Sequence, residues 1–306
     1  MKRKSLVLFI MVVLFTVFNV FTGCSNKSKA ENETAKKQYR FKIYGETDSS
    51  LVNLNNVEIY KKDDKTFKDT DLLGTEKTIE WLGNVYTGKY YNTRDSEFST
   101  NPMVEYLSET LPDGRNVLFI LDSKTNNILS FFTVIKQYNG LFDGMPVKSE
   151  DECKLIADEY LKKIAIDDYD QYSLNNVEKF SLGDYDDYYY DYCRMVGGIK
   201  SVEKIIVVIN NFGIYEGHNT FYSGQLKNTE APSWYNEAET DKAVEAKINE
   251  LSNDDKISYE IKDKQLIKTE DDKIGVLYTT EISKELIIDN KDRSITEQIR
   301  FLVTLE

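Results

Sequence analysis

Histidine is nearly missing from this chain: His218 is the only one in 306 residues. Histidine-based metal sites are therefore excluded, and a Ser-His-Asp relay would rest on one ring in the EGHNT stretch, which reads as a loop. Cysteine is scarce as well, at three, with no CxxC spacing and no Cys/His cluster to hold zinc. The 15 glycines form no phosphate-binding loop. Positive charge is short: 39 Lys and Arg face 52 Asp and Glu, for a net charge of −13. That field repels phosphate backbones and anionic head groups. Nucleic acid is thus excluded as a partner, as is membrane attachment through a basic patch.

Long apolar runs occur in one place. Lys2, Arg3 and Lys4 form a basic start, and Leu6–Phe18 is apolar except for Thr16, the pattern of an export signal. The run ends at Phe21-Thr22-Gly23-Cys24, which resembles the lipobox of bacterial lipoproteins. That resemblance implies cleavage after residue 23, acylation of Cys24, and residence on the outer face of the cytoplasmic membrane. A diacylglyceryl group supplies the two chains that stable anchoring takes. Loss of the three leader cations moves the net charge from −13 to about −16. Ser25–Gln38 has no aliphatic side chain larger than alanine and no aromatic, so residues 24–38 read as a flexible tether reaching roughly 20 Å.

The body of the chain divides at polar and Gly/Pro-rich stretches into residues 39–145, 146–228 and 229–306. The first segment is β-rich. Tyr39–Tyr44 alternates, Val57–Tyr60 and Val85–Tyr91 are strand-like, and Leu111–Val134 is a hairpin region turning at Pro112-Asp113-Gly114 and again at Ser123–Asn127. Trp81, Tyr86, Tyr90 and Tyr91 read as half-buried sheet surface. The central segment opens with Ser149 and Glu152 at capping-box spacing. Cys153, Ile156, Ala157, Tyr160, Leu161 and Ile164 then make one helical stripe. Strands are expected around Val177–Leu182, Tyr188–Val196 and Val202–Ile209. The last segment predicts a helix over Thr240–Leu251, then alternating strands at Ile257–Ile261 and Ile295–Leu305.

Cys153 falls on the helix stripe and Cys193 in a strand of the same segment. A free buried thiol is the favoured reading of each, and a disulfide between them stays open. In GDYDDYYYDY, Asp184, Asp186, Asp187 and Asp191 offer four carboxylates for Ca²⁺, but the order lacks that of an EF-hand, so a solvated acidic loop entering a tyrosine-rich strand is favoured. No catalytic residue, metal site or cofactor is nominated. The tyrosine-rich strand gives the one candidate partner-binding face: Tyr188, Tyr190 and Tyr192.

ECKLIADEYLKKI followed by YCRMVGGIKSVEKIIVVINNFGIY resembles the PepSY-type module, through Ile156-Ala157, Tyr160-Leu161, Arg194, Gly198, Asn210 and Gly213. The resemblance covers about 70 residues and more loosely the last segment. It implies an α+β fold: antiparallel sheets with packed helices, as repeated helix-plus-strands units of PepSY or cystatin-like type. Such modules occur in propeptides and inhibitors of secreted metalloproteases and in extracytoplasmic regulators of Gram-positive bacteria. The expected function is accordingly a lipid-anchored, non-enzymatic module that binds or regulates another surface or secreted protein. A surface hydrolase and a ligand-binding lipoprotein of a transporter are the alternatives.

Overall fold

Ser149 starts the first helix of a computed structural model that describes residues 37–44, 49–55, 57–60, 65–95, 101–135, 146–181, 186–210, 213–219, 226–252, 257–269, 271–288 and 291–306. The signal sequence, Cys24 and nearly all of the tether lie outside those residues. The Ser149 side chain accepts from the Glu152 amide and the Glu152 side chain accepts from the Ser149 amide, closing the capping box on α1 (Glu150–Ile164). Its buried side chains are Cys153, Ala157, Tyr160 and Leu161, four of the six residues of the stripe. A second helix, α2 (Glu237–Leu251), is capped by Asn236 and buries Thr240, Val244, Ile248 and Leu251.

The other described elements are a short 3-10 helix, Tyr169–Gln171, and strands. In chain order they are β1 (Tyr39–Tyr44), β2 (Glu58–Tyr60), β3 (Lys65–Phe67), β4 (Glu76–Trp81), β5 (Asn84–Asp95), β6 (Met103–Ser108), β7 (Arg115–Asp122) and β8 (Ile128–Ile135) before α1. Between the helices come β9 (Tyr172–Ser181), β10 (Asp186–Val196), β11 (Ile199–Asn210) and β12 (Gly213–Asn219). After α2 run β13 (Ile257–Lys268), β14 (Ile274–Ile288) and β15 (Lys291–Leu305).

The expected α+β class of repeated helix-plus-strands units is corrected by the pairing. All 15 strands belong to one mixed sheet, with two α-helices among the described residues. Strand ends that would have bounded separate units are instead paired with the neighbouring segment, which satisfies backbone groups an edge would expose. The strand β11 makes the join. One of its edges pairs with β10; along the other, its start meets β13 in parallel at Ser201 and its remainder meets β12. β12 in turn pairs with β8, tying the hairpin of the first segment to the central one.

Two main cores lie on this sheet. Under α1, Tyr160 and Leu161 meet Phe119, Phe131, Tyr188, Tyr190, Tyr192 and Val207. Under α2, Val244 and Ile248 meet Leu266, Val276, Tyr278, Phe301 and Val303. Gly217 on β12 lets α1 approach: a Cβ there would collide with the Tyr160 hydroxyl and the Phe131 ring.

Candidate functional site

Alternation decides where the tyrosines go. Tyr188, Tyr190 and Tyr192 share one face of β10, and that face is the one α1 covers, so they are 5%, 1% and 2% exposed. The sequence-based partner face is thereby corrected: these rings are core. Two of their hydroxyls fasten the helix from below. Tyr190 donates to the Glu150 carbonyl at 3.0 Å, and Tyr192 donates to Asp158 Oδ1 at 2.7 Å. Burial pushes the phenols of Tyr190 and Tyr192 well above their ordinary range, with the Asp158 charge adding to the second.

The intervening aspartates scatter. Asp186 pairs with Lys179 and Ser181, Asp187 accepts from the Asn210 amide at 3.1 Å, and Asp191 accepts from Asn175 and Lys204. Asp184 lies outside the described residues. From Asp186 onward the acidic run is strand, and Asp187 is buried. Among the described residues no group of three His, Cys, Asp or Glu gathers to hold a metal ion.

At the end of β10, Arg194 lies in a buried ionic network. Its Nε donates to Glu203 Oε2 at 2.5 Å, Nη2 to Asp168 Oδ2 at 2.6 Å and Nη1 to Gln171 Oε1 at 2.6 Å. Nη2 also reaches the Tyr172 hydroxyl at 3.1 Å, and the guanidinium lies over that ring. The other Glu203 oxygen accepts from the Leu226 amide at 2.7 Å, and Leu226 belongs to the core under α2. One arginine thus binds the α1–β9 link, β10 and β11, and through Glu203 reaches the second core. Each guanidinium nitrogen has an acceptor, so the chemistry is that of a fastening. Cys193 beside it and Cys153 on α1 are both free and buried; burial lifts the Cys153 thiol and pushes Cys193 up to about 11. Neither is an activated nucleophile.

His218 is on strand β12, opposite Ser130 of β8, where the sequence reading placed a loop. The missed signal is the alternation Tyr215–Gly217–Asn219 against Glu216–His218, too short and too broken by glycine to count as a strand. The Ser130 hydroxyl lies 2.8 Å from Nδ1 of His218, and Nε2 meets the Glu216 carboxylate. Hydroxyl, imidazole and carboxylate stand in line, yet the serine is 1% exposed and also donates to the Gly217 carbonyl at 3.1 Å. The line of residues works as a cross-strand bridge.

Among the described residues the ten-residue β9 pairs with β10 alone, and it presents Leu174 and Phe180 to solvent. Phe180 packs edge-on against Tyr189, its ring centroid 5.0 Å away.

No protein-family model matches the chain. No curated protein matches it either. Among solved structures, the chain is similar to the Bacillus megaterium YpeB C-terminal domain, with a TM-score of 0.36 and 9% identity over 75% of this chain and 92% of that one. A likeness this loose carries no argument about activity.

Proposed function

We propose that the chain is a lipid-anchored extracytoplasmic lipoprotein that binds or regulates another surface or secreted protein and does no chemistry itself. The observation that carries the binding reading is the β9 edge: ten residues of strand, hydrogen-bonded on one side and mostly exposed, with two large apolar side chains. An extended segment of a protein partner adds to such an edge as a further strand, through backbone hydrogen bonds, with side-chain contacts giving selectivity. The anchoring reading rests on Cys24 and the apolar run before it.

The test is a crosslinking pull-down of the anchored chain from its own membrane, comparing the parent with Leu174→Asp/Phe180→Asp. A partner recovered with the parent and lost with the variant, at unchanged melting temperature, is the expected result. A recovered set that ignores the substitutions removes the β9 reading. Cys24→Ala should release the chain from the membrane fraction or leave it unprocessed; unchanged fractionation would remove the anchor. The line Ser130–His218–Glu216 is the observation that favours a hydrolase instead. Turnover of an ester, peptide or glycan abolished by Glu216→Gln would establish that second reading.

A further inference from the structure

Far along the sheet from β9, strands β3, β5, β6 and β7 and the turns beside them enclose a cleft of about 350 Å³. That size is at the lower end of small-ligand sites, which run from about 300 to 1,000 Å³. Its apolar lining includes Val104, Tyr106, Leu121 and the exposed ring of Phe67. Two carboxylates open onto it, Asp69 after β3 and Asp122 at the end of β7.

Neither carboxylate forms an ion pair among the described residues. Asp122 accepts from the amides of Lys124 and Thr125 at 2.9 and 2.8 Å and from the Asn101 side chain at 2.9 Å. Asp69 accepts from the Asp71 amide at 3.0 Å. Such bonds hold the charges in place without neutralising them. Burial disfavours the charge on Asp122, but the donors Asn101, Thr125 and Lys124 outweigh it and keep the carboxyl below its ordinary range. The chain's own lysine shows what these walls attract. The Lys77 ammonium sits 5.6 Å from the centroid of Tyr106 and donates to Asn126, another lining residue, while staying out of ion-pair range of both aspartates. Anions are repelled here, and a neutral apolar ligand would strand the two charges in a drier site.

We propose that this cleft binds a primary ammonium group on an apolar stem, with Asp69 and Asp122 as counter-charges and Val104, Leu121 and Tyr106 along the stem. The ammonium belongs either to a free amine or to a lysine side chain of a peptide. This goes beyond the β9 reading and does not depend on it.

Calorimetric titration of the full chain in detergent tests it, with n-pentylamine, n-pentanol and Nα-acetyl-lysine amide as probes. The amine is expected to bind with a Kd on the order of 1 mM, and pentanol much more weakly. Asp69→Asn keeps an oxygen for the Asp71 amide and removes one charge, so it should weaken the amine about tenfold, the scale of one charge-assisted hydrogen bond. Phe67→Ala, at an exposed position, should also weaken it, by shortening the wall along the stem. An extended lysine-bearing peptide that binds at least tenfold tighter than pentylamine assigns the group to a peptide; equal affinity assigns a free amine. Pentanol binding as well as the amine, amine binding that ignores both variants, or no heat with any amine overturns the proposal.

Discussion

Two helices lean on one sheet, and they are fastened by the same pair of groups arranged differently. On α1, Asp158 receives the Tyr192 hydroxyl from β10 and the ammonium of Lys154, one turn earlier on the same helix. On α2, Asp241 receives the Tyr278 hydroxyl from β14 at 3.0 Å and the ammonium of Lys264 at 2.7 Å, which comes from β13. The lysine of the first pair spends its ion pair within one helix and reaches the sheet only as a ring contact, 5.7 Å from the Tyr192 centroid; the lysine of the second joins helix to strand by an ion pair. What α1 lacks in such a link its region has in the buried Arg194 network, which α2 does without. Local pairing is worth a few tenths of a kcal/mol, whereas a desolvated charge fixed by several elements is costly to disturb. The difference is one of where the polar fastening is buried.

The largest test of that difference is Arg194→Met. It leaves Asp168 and Glu203 buried without their cation and should cost about 3–5 kcal/mol of unfolding free energy, read from denaturant midpoints. The counterpart at the α2 side, Lys264→Met, removes a partly exposed ammonium and should cost about 0–1 kcal/mol. Equal losses would erase the contrast.

Below their polar fastenings the two regions should behave alike. Leu161→Ala under α1 and Ile248→Ala under α2 each empty a buried site and should each cost about 2–5 kcal/mol. A loss under about half a kcal/mol at either position would mean that its helix is not seated on the sheet.

Much of this was legible beforehand, for reasons that particular residues show. The capping box at Ser149 and Glu152 is a local signal, and β1, β7, β8 and the C-terminal strand follow from alternation or turn chemistry. What alternation does not state is which face a neighbour covers. Tyr188, Tyr190 and Tyr192 carry both a large apolar ring and a hydroxyl, so they suit either a wet face or a core that offers an acceptor. For Tyr192 and Tyr190 those acceptors are Asp158 and the Glu150 carbonyl, and nothing in the strand's own sequence names them. The 15-strand continuity was equally out of reach, since the join through β11 rests on a single parallel pairing, Ser201 with Leu266. Arg194 did stand out as a matched position of the PepSY-type pattern; its partners Asp168 and Gln171 come from a link with no periodic signal.

Removing one hydroxyl from each fastening gives a smaller effect. Tyr192→Phe and Tyr278→Phe should each cost about 0.5–1.5 kcal/mol, the net worth of an ordinary hydrogen bond. The contrast predicts a sharper result in combination. With Tyr192→Phe, adding Lys154→Met should do little more, because that lysine's ion pair stays within its own helix and its tie to β10 is a ring contact at 5.7 Å. With Tyr278→Phe, adding Lys264→Met should free α2 of both its polar links to the sheet at Asp241. Double-mutant cycles on thermal or denaturant unfolding read this directly, and equal coupling in the two cycles would contradict it.

The smallest effect concerns pH, and its sign separates two aspartates of the α1 region. Burial is the chief cause that raises the Asp187 carboxyl above its ordinary value; the Asn210 amide opposes it, and the charges of Glu216 and Asp186 add to it. Asp158 moves the other way: burial resists, but Lys154 and Tyr192 outweigh it and hold its carboxyl low. A raised carboxyl binds its proton more tightly folded than unfolded. Its stabilising contribution is therefore full below the unfolded value of about 3.9 and is lost as pH rises through the folded value. A depressed carboxyl contributes above the unfolded value and loses that contribution as pH falls through the folded one. Asp187→Asn keeps an acceptor for Asn210 and removes the titration. Relative to the parent it should gain stability as pH is raised from about 3.9 toward neutrality, whereas Asp158→Asn should lose stability as pH rises through the parent's depressed folded value to about 3.9 and hold level above that. Denaturant titrations at several pH values measure both slopes. If Asp187→Asn falls behind the parent as pH rises, its carboxylate is stabilised in the fold by more than the Asn210 amide, and the two aspartates of this region are alike after all.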